Sequence, residues 1–566
     1  MARRHSRPGG RGGALREQLQ RLWTWATDLA GTRRGAVVLV GAALGVFAVQ
    51  SLGWPVAPGR DLPAYLVVYV DFWSAEPVLP WAMANRTPIT PLVVGGILDT
   101  GSPALVVVLA ALLFAGTVLL HARTALRFGR GPAVLVGVAL LLFPGLGILF
   151  HGLSGDAVFA AGFAGWTAIA VEAALRPSVA RFALLGAATA LLALIRPANQ
   201  AFLVAGLLPL LLAAPWRVRL SRTVAFGGVA LTLLAAWSAV NLVRFDDFTV
   251  ARGGSASLPL FRAFTADHIV GPENGPASRR LADAVEEHLL GEEPYRSYEI
   301  DLETFFAQGS PRMHEDLISL SDRLWGWDSD YSHLGEAAWE GVRAHPWTYA
   351  RGVLGDFWEE LSQPLFAGRE AAPEEDGQAA ASTPPANGPA GLPTPSEGEP
   401  IPSEHQSAQL STPDGSIREV WTSATEHHVV FDDPGKAVRQ AENDRRLGEL
   451  YGAFPDHWWS PWLGLQMDRS SKLYPPPWLL LLVGAVAVAW RRPRRWWAML
   501  APVLGGLVML LGTVMTVWAE PAYAIPVVPA FVLFAAVGLL GERSERRDGA
   551  ASTTSSTTSS PLRTSR

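Results

Sequence analysis

The 566-residue chain is 49% hydrophobic and 17% charged, with a positive mean hydropathy. Clustered apolar residues in that proportion exclude an ordinary soluble protein of this length. The net charge of −5 says little because acids and bases occupy different regions, and the absence of cysteine excludes disulfides, thiolate metal sites and cysteine nucleophiles.

The chain opens with an Arg-rich segment, 1–34, ahead of the first apolar run. That run is longer than the apolar core of a signal peptide, so a retained anchor is expected. Runs long enough to cross roughly 30 Å of hydrocarbon lie near 35–55, 103–121, 131–151, 156–175, 180–196, 200–215, 223–243, 475–490, 496–518 and 521–541. The fold class expected is therefore an all-α polytopic membrane protein with about ten transmembrane helices. Seven spans fill 35–243 and three fill 475–541.

The flanking basic residues set the orientation. With a cytoplasmic N-terminus, the inner segments carry Arg33, Arg34, Arg123, Arg127, Arg130, Arg176 and Arg181. They also carry Arg217, Arg219, Arg222, Arg491, Arg492, Arg494, Arg495, Arg543, Arg546 and Arg547, whereas the short outer loops hold Arg60, Arg86 and Arg196. The reading is a multi-pass plasma-membrane protein with both termini cytoplasmic. Loop 53–102, loop 151–155 and the region 244–474 then lie outside, and the tail 542–566 is expected to be disordered.

Loop 53–102 mixes apolar stretches with Arg60, Asp61, Asp71, Glu76, Arg86 and Asp99, and Pro63, Pro77, Pro80, Pro88 and Pro91 divide it into short helices. It is too polar for a span and too apolar for a free loop, so a re-entrant or interface-lying segment is expected. Carboxylates held at a membrane interface are costly and tend to be functional. Asp61 is the residue favoured for a role.

The region 244–474 is expected to be α-rich, with a Pro/Ala/Gly/Ser/Glu-rich insertion over 367–417 read as disordered. Segment 345–366 places Val353, Leu354, Phe357, Trp358, Leu361 and Leu365 at helical spacing. That pattern suits either an amphipathic helix on the membrane surface or the core helix of a soluble subdomain. Aromatics at 454–462 and 474–478 suit an interfacial belt. His427, His428 and His457 are weak candidates for metal binding.

Several of these features, in this order, resemble the GT-C glycosyltransferases, and within them the protein O-mannosyltransferase and aminoarabinose transferase (family 39-like) branch. They are Asp61 shortly after the first span, Asp156 opening the fourth within HGLSGDAVFAAGF, LLALIRPANQAF ending the fifth, VNLVRFDDFTVARGG leaving the seventh, and WAEPAYAIPVVPAF before the last. Departures are Asp61-Leu62 for a paired Asp-Glu, Arg86-Thr87-Pro88 for Lys-Pro-Pro, and Glu520-Pro521-Ala522-Tyr523 where Arg precedes the Tyr.

The resemblance implies transfer of a sugar from a polyprenyl-phosphate donor to an extracytoplasmic acceptor (glycan, lipid or protein), with inversion. Asp61 would be the general base. Arg196, and less directly Arg86, would stabilise the leaving phosphate. Asp156 would orient the acceptor or bind a metal, although Ser154 and Asp156 also suit helix N-terminal capping. Asp71 and Glu76 would complete a carboxylate cluster for a divalent cation, which takes hard oxygen ligands. Other partners would be the bilayer but no nucleic acid.

Two other readings compete. A transporter or flippase of lipid-linked sugars usually shows mid-span charges and repeats, and the span interiors here are nearly free of ionisable residues, Glu172 near one end excepted. A non-catalytic scaffold binding cell-wall glycans would keep the spans without needing Asp61.

Overall fold

The computed structural model describes residues 11–365, 408–410 and 416–543, apart from 75–76, 254–258, 260–261, 293–294, 297–298, 309–312, 327–328, 330, 422–426 and 457–459. Glu76, His457, most of the 367–417 insertion and the tail beyond 543 therefore lie outside the described residues.

Helix follows each apolar run. Helices α1 (Arg11–Ala30) and α2 (Arg33–Ser51) meet at Thr32, whose hydroxyl accepts the Gly35 N–H and so starts α2. The loop after α2 holds the short strand β1 (Ala57–Pro58) and helices α3 (Leu62–Val70), α4 (Pro80–Ala84) and α5 (Ile89–Leu98). Its prolines break it up as expected. Next come α6 (Pro103–Ala125), α7 (Arg130–Leu141), α8 (Pro144–His151), strand β2 (Gly152–Leu153), α9 (Gly155–Leu175), α10 (Val179–Ile195), a 3₁₀ run Pro197–Leu207 with α11 (Leu208–Leu211), and α12 (Trp216–Phe245). The last bundle helices are Pro477–Arg491, Leu500–Thr516 and Val528–Leu540.

Among the described residues, five helices are long and apolar enough to cross a membrane: Arg33–Ser51, Pro103–Phe128, Gly155–Leu175, Trp216–Phe245 and Trp496–Thr516. A sixth crossing is α7 with α8 if the pair, bent by 58°, counts as one. Pro144 at the start of α8 removes a helical donor there and accounts for the bend. The other four apolar runs form shorter helices, Val179–Ile195, Pro197–Leu211, Pro477–Arg491 and Val528–Leu540. The run expected as a span over 200–215 is largely 3₁₀, entered at Pro197 and interrupted at Pro209.

The bundle core is aromatic and small-residue packing. Phe163, Trp166 and Phe202 stack around the indole of Trp166, whose Nε1 donates to Thr189 at 2.9 Å. A second core, including Leu281, Phe305 and Leu334, belongs to the helical region Pro276–Ser362. Val514 packs into that second core from the bundle helix Leu500–Thr516. Arg262 fastens the two. It is 1% exposed, and its guanidinium reaches Asp267 at 2.9 Å, Asp356 at 2.8 Å and the Val514 carbonyl at 2.7 Å. A buried charge is tolerated when so many acceptors share it.

Two expectations for the polar region need correction. Strands Ala408–Leu410, Ile417–Trp421 and His427–Phe431 form an antiparallel sheet, so the segment expected to be disordered to 417 already contains strand by 408. The single apolar stripe expected over 345–366 splits. Val353 and Leu361 on helix Pro346–Ser362 and Leu365 beyond it are buried, while Leu354 and Trp358 on the same helix are exposed. Trp358 and Leu361 are three apart and share a face, so burial here is decided by what packs beside each position along the helix.

Candidate functional site

Strands β1 and β2 pair in parallel, Ala57 with Gly152 and Pro58 with Leu153. Gly59 N–H continues the ladder to the Leu153 carbonyl at 3.2 Å. The approach needs glycine: a Cβ on Gly59 would lie 2.7 Å from the Gly152 carbonyl carbon and oxygen. This pairing carries the loop after α2 onto the turn that opens α9, and so brings Asp61 to Asp156.

Asp156 sits in the first turn of α9 behind Ser154, whose hydroxyl accepts the Asp156 N–H at 3.3 Å. It is 6% exposed, and Arg196, the residue that ends α10, binds its carboxylate. Arg196 is fixed from behind as well. The neighbouring Ile195 carbonyl accepts the Thr90 hydroxyl at 2.8 Å, and Asn199 reaches the Leu192 carbonyl at 2.8 Å. Charge at a helix start favours the Asp, and the pairing offsets the cost of burying both ions.

Arg60 forms a second pair with Glu520 and donates to the Tyr523 hydroxyl at 2.6 Å. Its guanidinium also stands 4.7 Å from the Tyr523 ring centre, with that of Arg196 5.8 Å away. The Trp518 indole N–H supports Glu520 at 3.1 Å. Tyr65, buried on α3, packs against Gly155, where a Cβ would meet its hydroxyl at 2.8 Å. Arg86 lies 5.0 Å above the Tyr65 ring, a favourable cation–π placement.

Asp61 joins this group as an exposed residue in left-handed backbone, φ 58°. Asp tolerates that conformation better than most residues. It lies within electrostatic reach of Arg60, Tyr65, Arg196 and Glu520. No hydrogen bond or ion pair to its carboxylate occurs among the described residues, and the same holds for the Arg86 guanidinium.

Of the residues singled out from the sequence, Asp61, Asp156, Arg196 and Arg86 come together. Asp71 does not join them. It is 8% exposed, accepts the Val78 N–H, and lies near Arg244. Its carboxylate holds the loop closed. Asp99 is likewise structural, binding the Tyr69 hydroxyl at 2.8 Å and Arg446. Among the described residues no three His, Asp or Glu side chains assemble as metal ligands, so the described part of the site does not fit the divalent-cation cluster. His428 is exposed on its strand.

Sequence reasoning passed over Arg60, Tyr65, Glu520 and Tyr523 as site residues. The signal for Arg60 was its adjacency to Asp61. Glu520 standing where a basic residue was looked for was a second signal, since an acid there calls for a cation from elsewhere in the chain.

No family model matches the chain, and no curated protein matches it. Among solved structures, the chain is similar to ArnT from Cupriavidus metallidurans bound to undecaprenyl phosphate, with 14% identity over 88% of this chain and 78% of that one, at a TM-score of 0.31. A likeness at that level carries no inference about activity, which must come from the residues themselves.

Proposed function

We propose that the protein is a GT-C-type membrane glycosyltransferase that moves a sugar from a polyprenyl-phosphate donor to an extracytoplasmic acceptor, with Asp61 as general base. One observation carries this reading. Among the described residues the cluster offers a carboxylate and a guanidinium without hydrogen-bond or ion-pair partners, Asp61 and Arg86, beside mutually bound groups.

Displacement at the anomeric carbon needs a base for the incoming hydroxyl and a cation for the departing phosphate. The acceptor O–H transfers its proton to the Asp61 carboxylate as the new C–O bond forms, and the donor's C–O bond to phosphate breaks with its electron pair staying on the phosphate. Arg86 takes the phosphate. The sequence placed Arg196 first in that role, but Arg196 and Arg60 are each neutralised by a carboxylate, whereas Arg86 is free to form charge-assisted bonds. Arg196 and Asp156 then act as a fixed wall that orients Tyr65 and Tyr523.

The test adds labelled polyprenyl-phosphate sugars to membranes holding the wild type or Asp61→Asn. The expected result is a loss of transfer of roughly 10²–10⁴-fold, the contribution of a positioned base. Unchanged transfer by Asp61→Asn would remove Asp61 from the mechanism.

A further inference from the structure

Behind the cluster lies a carboxyl that the mechanism above does not use. Glu360, on helix Pro346–Ser362, is 0% exposed. One oxygen accepts the backbone N–H of Glu520 at 2.6 Å. The other is buried and has no hydrogen-bond partner among the described residues.

We propose that Glu360 is a positioning residue of the site: its carboxyl fixes the Glu520 turn, Glu520 in turn fixes Arg60, and Arg60 holds the backbone of Asp61 beside it. The inference rests on the glycosyltransferase reading for its effect on catalysis. The mechanical chain is drawn from contacts alone: Glu360 to Glu520 N–H, Glu520 to Arg60, Arg60 to Tyr523. Asp61 follows Arg60 directly, and the buried Leu62 after it opens α3. The strained φ of Asp61 is therefore pinned on both sides.

Glu360 does this as an uncharged acid. A carboxylate in this setting would have one oxygen stripped of water and unpaired. The charged groups acting on it most strongly are acidic: Glu520 from the turn, and Glu359 and Asp356 from its own helix, the last bound to Arg262. The helices Pro477–Arg491 and Leu500–Thr516, which also pack here, carry no ionisable side chain before Arg491. On Ser332–Ala344, Glu336 is bound to Arg280, and Glu340 to the N–H groups of Ala277 and Ser278. Burial raises the Glu360 carboxyl from an ordinary 4.5 to about 8.

Glutamine keeps the acceptor oxygen and the shape but cannot ionise; alanine removes both. Transfer is measured from neutral to alkaline pH for the wild type, Glu360→Gln and Glu360→Ala. The wild type is expected to lose kcat above about pH 8. Glu360→Gln should match it at neutral pH and lack that alkaline fall. Glu360→Ala should lose kcat roughly tenfold to a hundredfold, as a displaced catalytic group does, with KM for the donor little changed. Glu360→Gln as impaired as Glu360→Ala, or falling at alkaline pH as the wild type does, overturns the proposal.

A second readout needs no turnover. The chain has no cysteine, so a spin label on Ala519→Cys reports the turn alone. Its mobility should rise above about pH 8 with Glu360 present and stay constant with Glu360→Gln. If the wild type transfers no sugar, the glycosyltransferase reading fails while the label still decides whether Glu360 holds the turn. A label mobility independent of pH in both backgrounds overturns the role of Glu360.

Discussion

Three guanidinium groups meet at the candidate site among the described residues, and their partners separate their work. Arg196 is bound to Asp156, a pair with side chains 18% and 7% exposed. Removing one partner of a buried pair leaves the other charged and unsatisfied, at a cost of about 3–5 kcal/mol. Arg196→Ala should therefore lower the Tm sharply in detergent. The double variant Arg196→Met/Asp156→Asn should be less damaging than the sum of its singles, because the two share one interaction. Arg86 has no ion-pair partner among the described residues and only its contact with the Tyr65 ring to lose, so Arg86→Ala should lower the Tm much less than Arg196→Ala. It should raise KM for the polyprenyl-phosphate donor by about tenfold or more, the value of a charge-assisted hydrogen bond of roughly 1.5–3 kcal/mol. An equal loss of Tm in Arg86→Ala and Arg196→Ala would contradict this division. Glu360 adds a pH dependence to the same scale. Its native carboxyl holds a proton from 4.5 up to about 8 that the unfolded chain has released. Stability therefore falls as pH rises through that window, and Glu360→Gln should flatten the slope in a pH series of thermal melts.

At the scale of elements, the smallest pair carries the most weight. Strands β1 and β2 are two residues each, yet they set the separation of Asp61 and Asp156. Their contact depends on the absence of a side chain at Gly59, where the neighbouring atoms are backbone and cannot swing aside. Gly59→Ala should cost about 1–3 kcal/mol as overpacking and lower kcat more than KM. Gly96→Ala is the control: its Cβ would meet nothing within 4 Å, and alanine inside α5 should stabilise by about 0.5–1 kcal/mol. Thermal melts and transfer rates of the two variants separate the cases. If both behave alike, the β1–β2 contact is not what holds the site.

At the scale of the whole molecule, two packed cores meet where Arg262 spans from the helical region to the bundle carbonyl of Val514. The cluster lies on the same end of the bundle as loop 53–102, since Asp156 starts α9 and Arg196 ends α10. We propose, from the distribution of basic residues, that this end faces outside the cell. In the cysteine-free chain, Thr100→Cys should react with a membrane-impermeant maleimide in intact cells. Arg123→Cys, at the other end of α6, should react only after permeabilisation. The reverse pattern would invert the orientation and move the site to the cytoplasm.

Hydropathy alone determined that the chain is helical and membrane-embedded, because crossing hydrocarbon demands long apolar runs wherever their partners lie. Proline spacing likewise announced the broken loop 53–102; Asp61, Asp156 and Arg196 stand out by their places near span ends, and Arg86 by its place within that loop. What the sequence left open depended on contacts between residues hundreds of positions apart. Arg60 finds Glu520, Glu360 finds the same turn, and Asp71 turns inward to Val78 and away from Asp61. A carboxylate reads the same in sequence whether it caps a loop, neutralises an arginine or waits for a proton. Only the tertiary fold distributes those partners, and among the described residues of the cluster it leaves the Asp61 carboxylate and the Arg86 guanidinium without a hydrogen bond or ion pair.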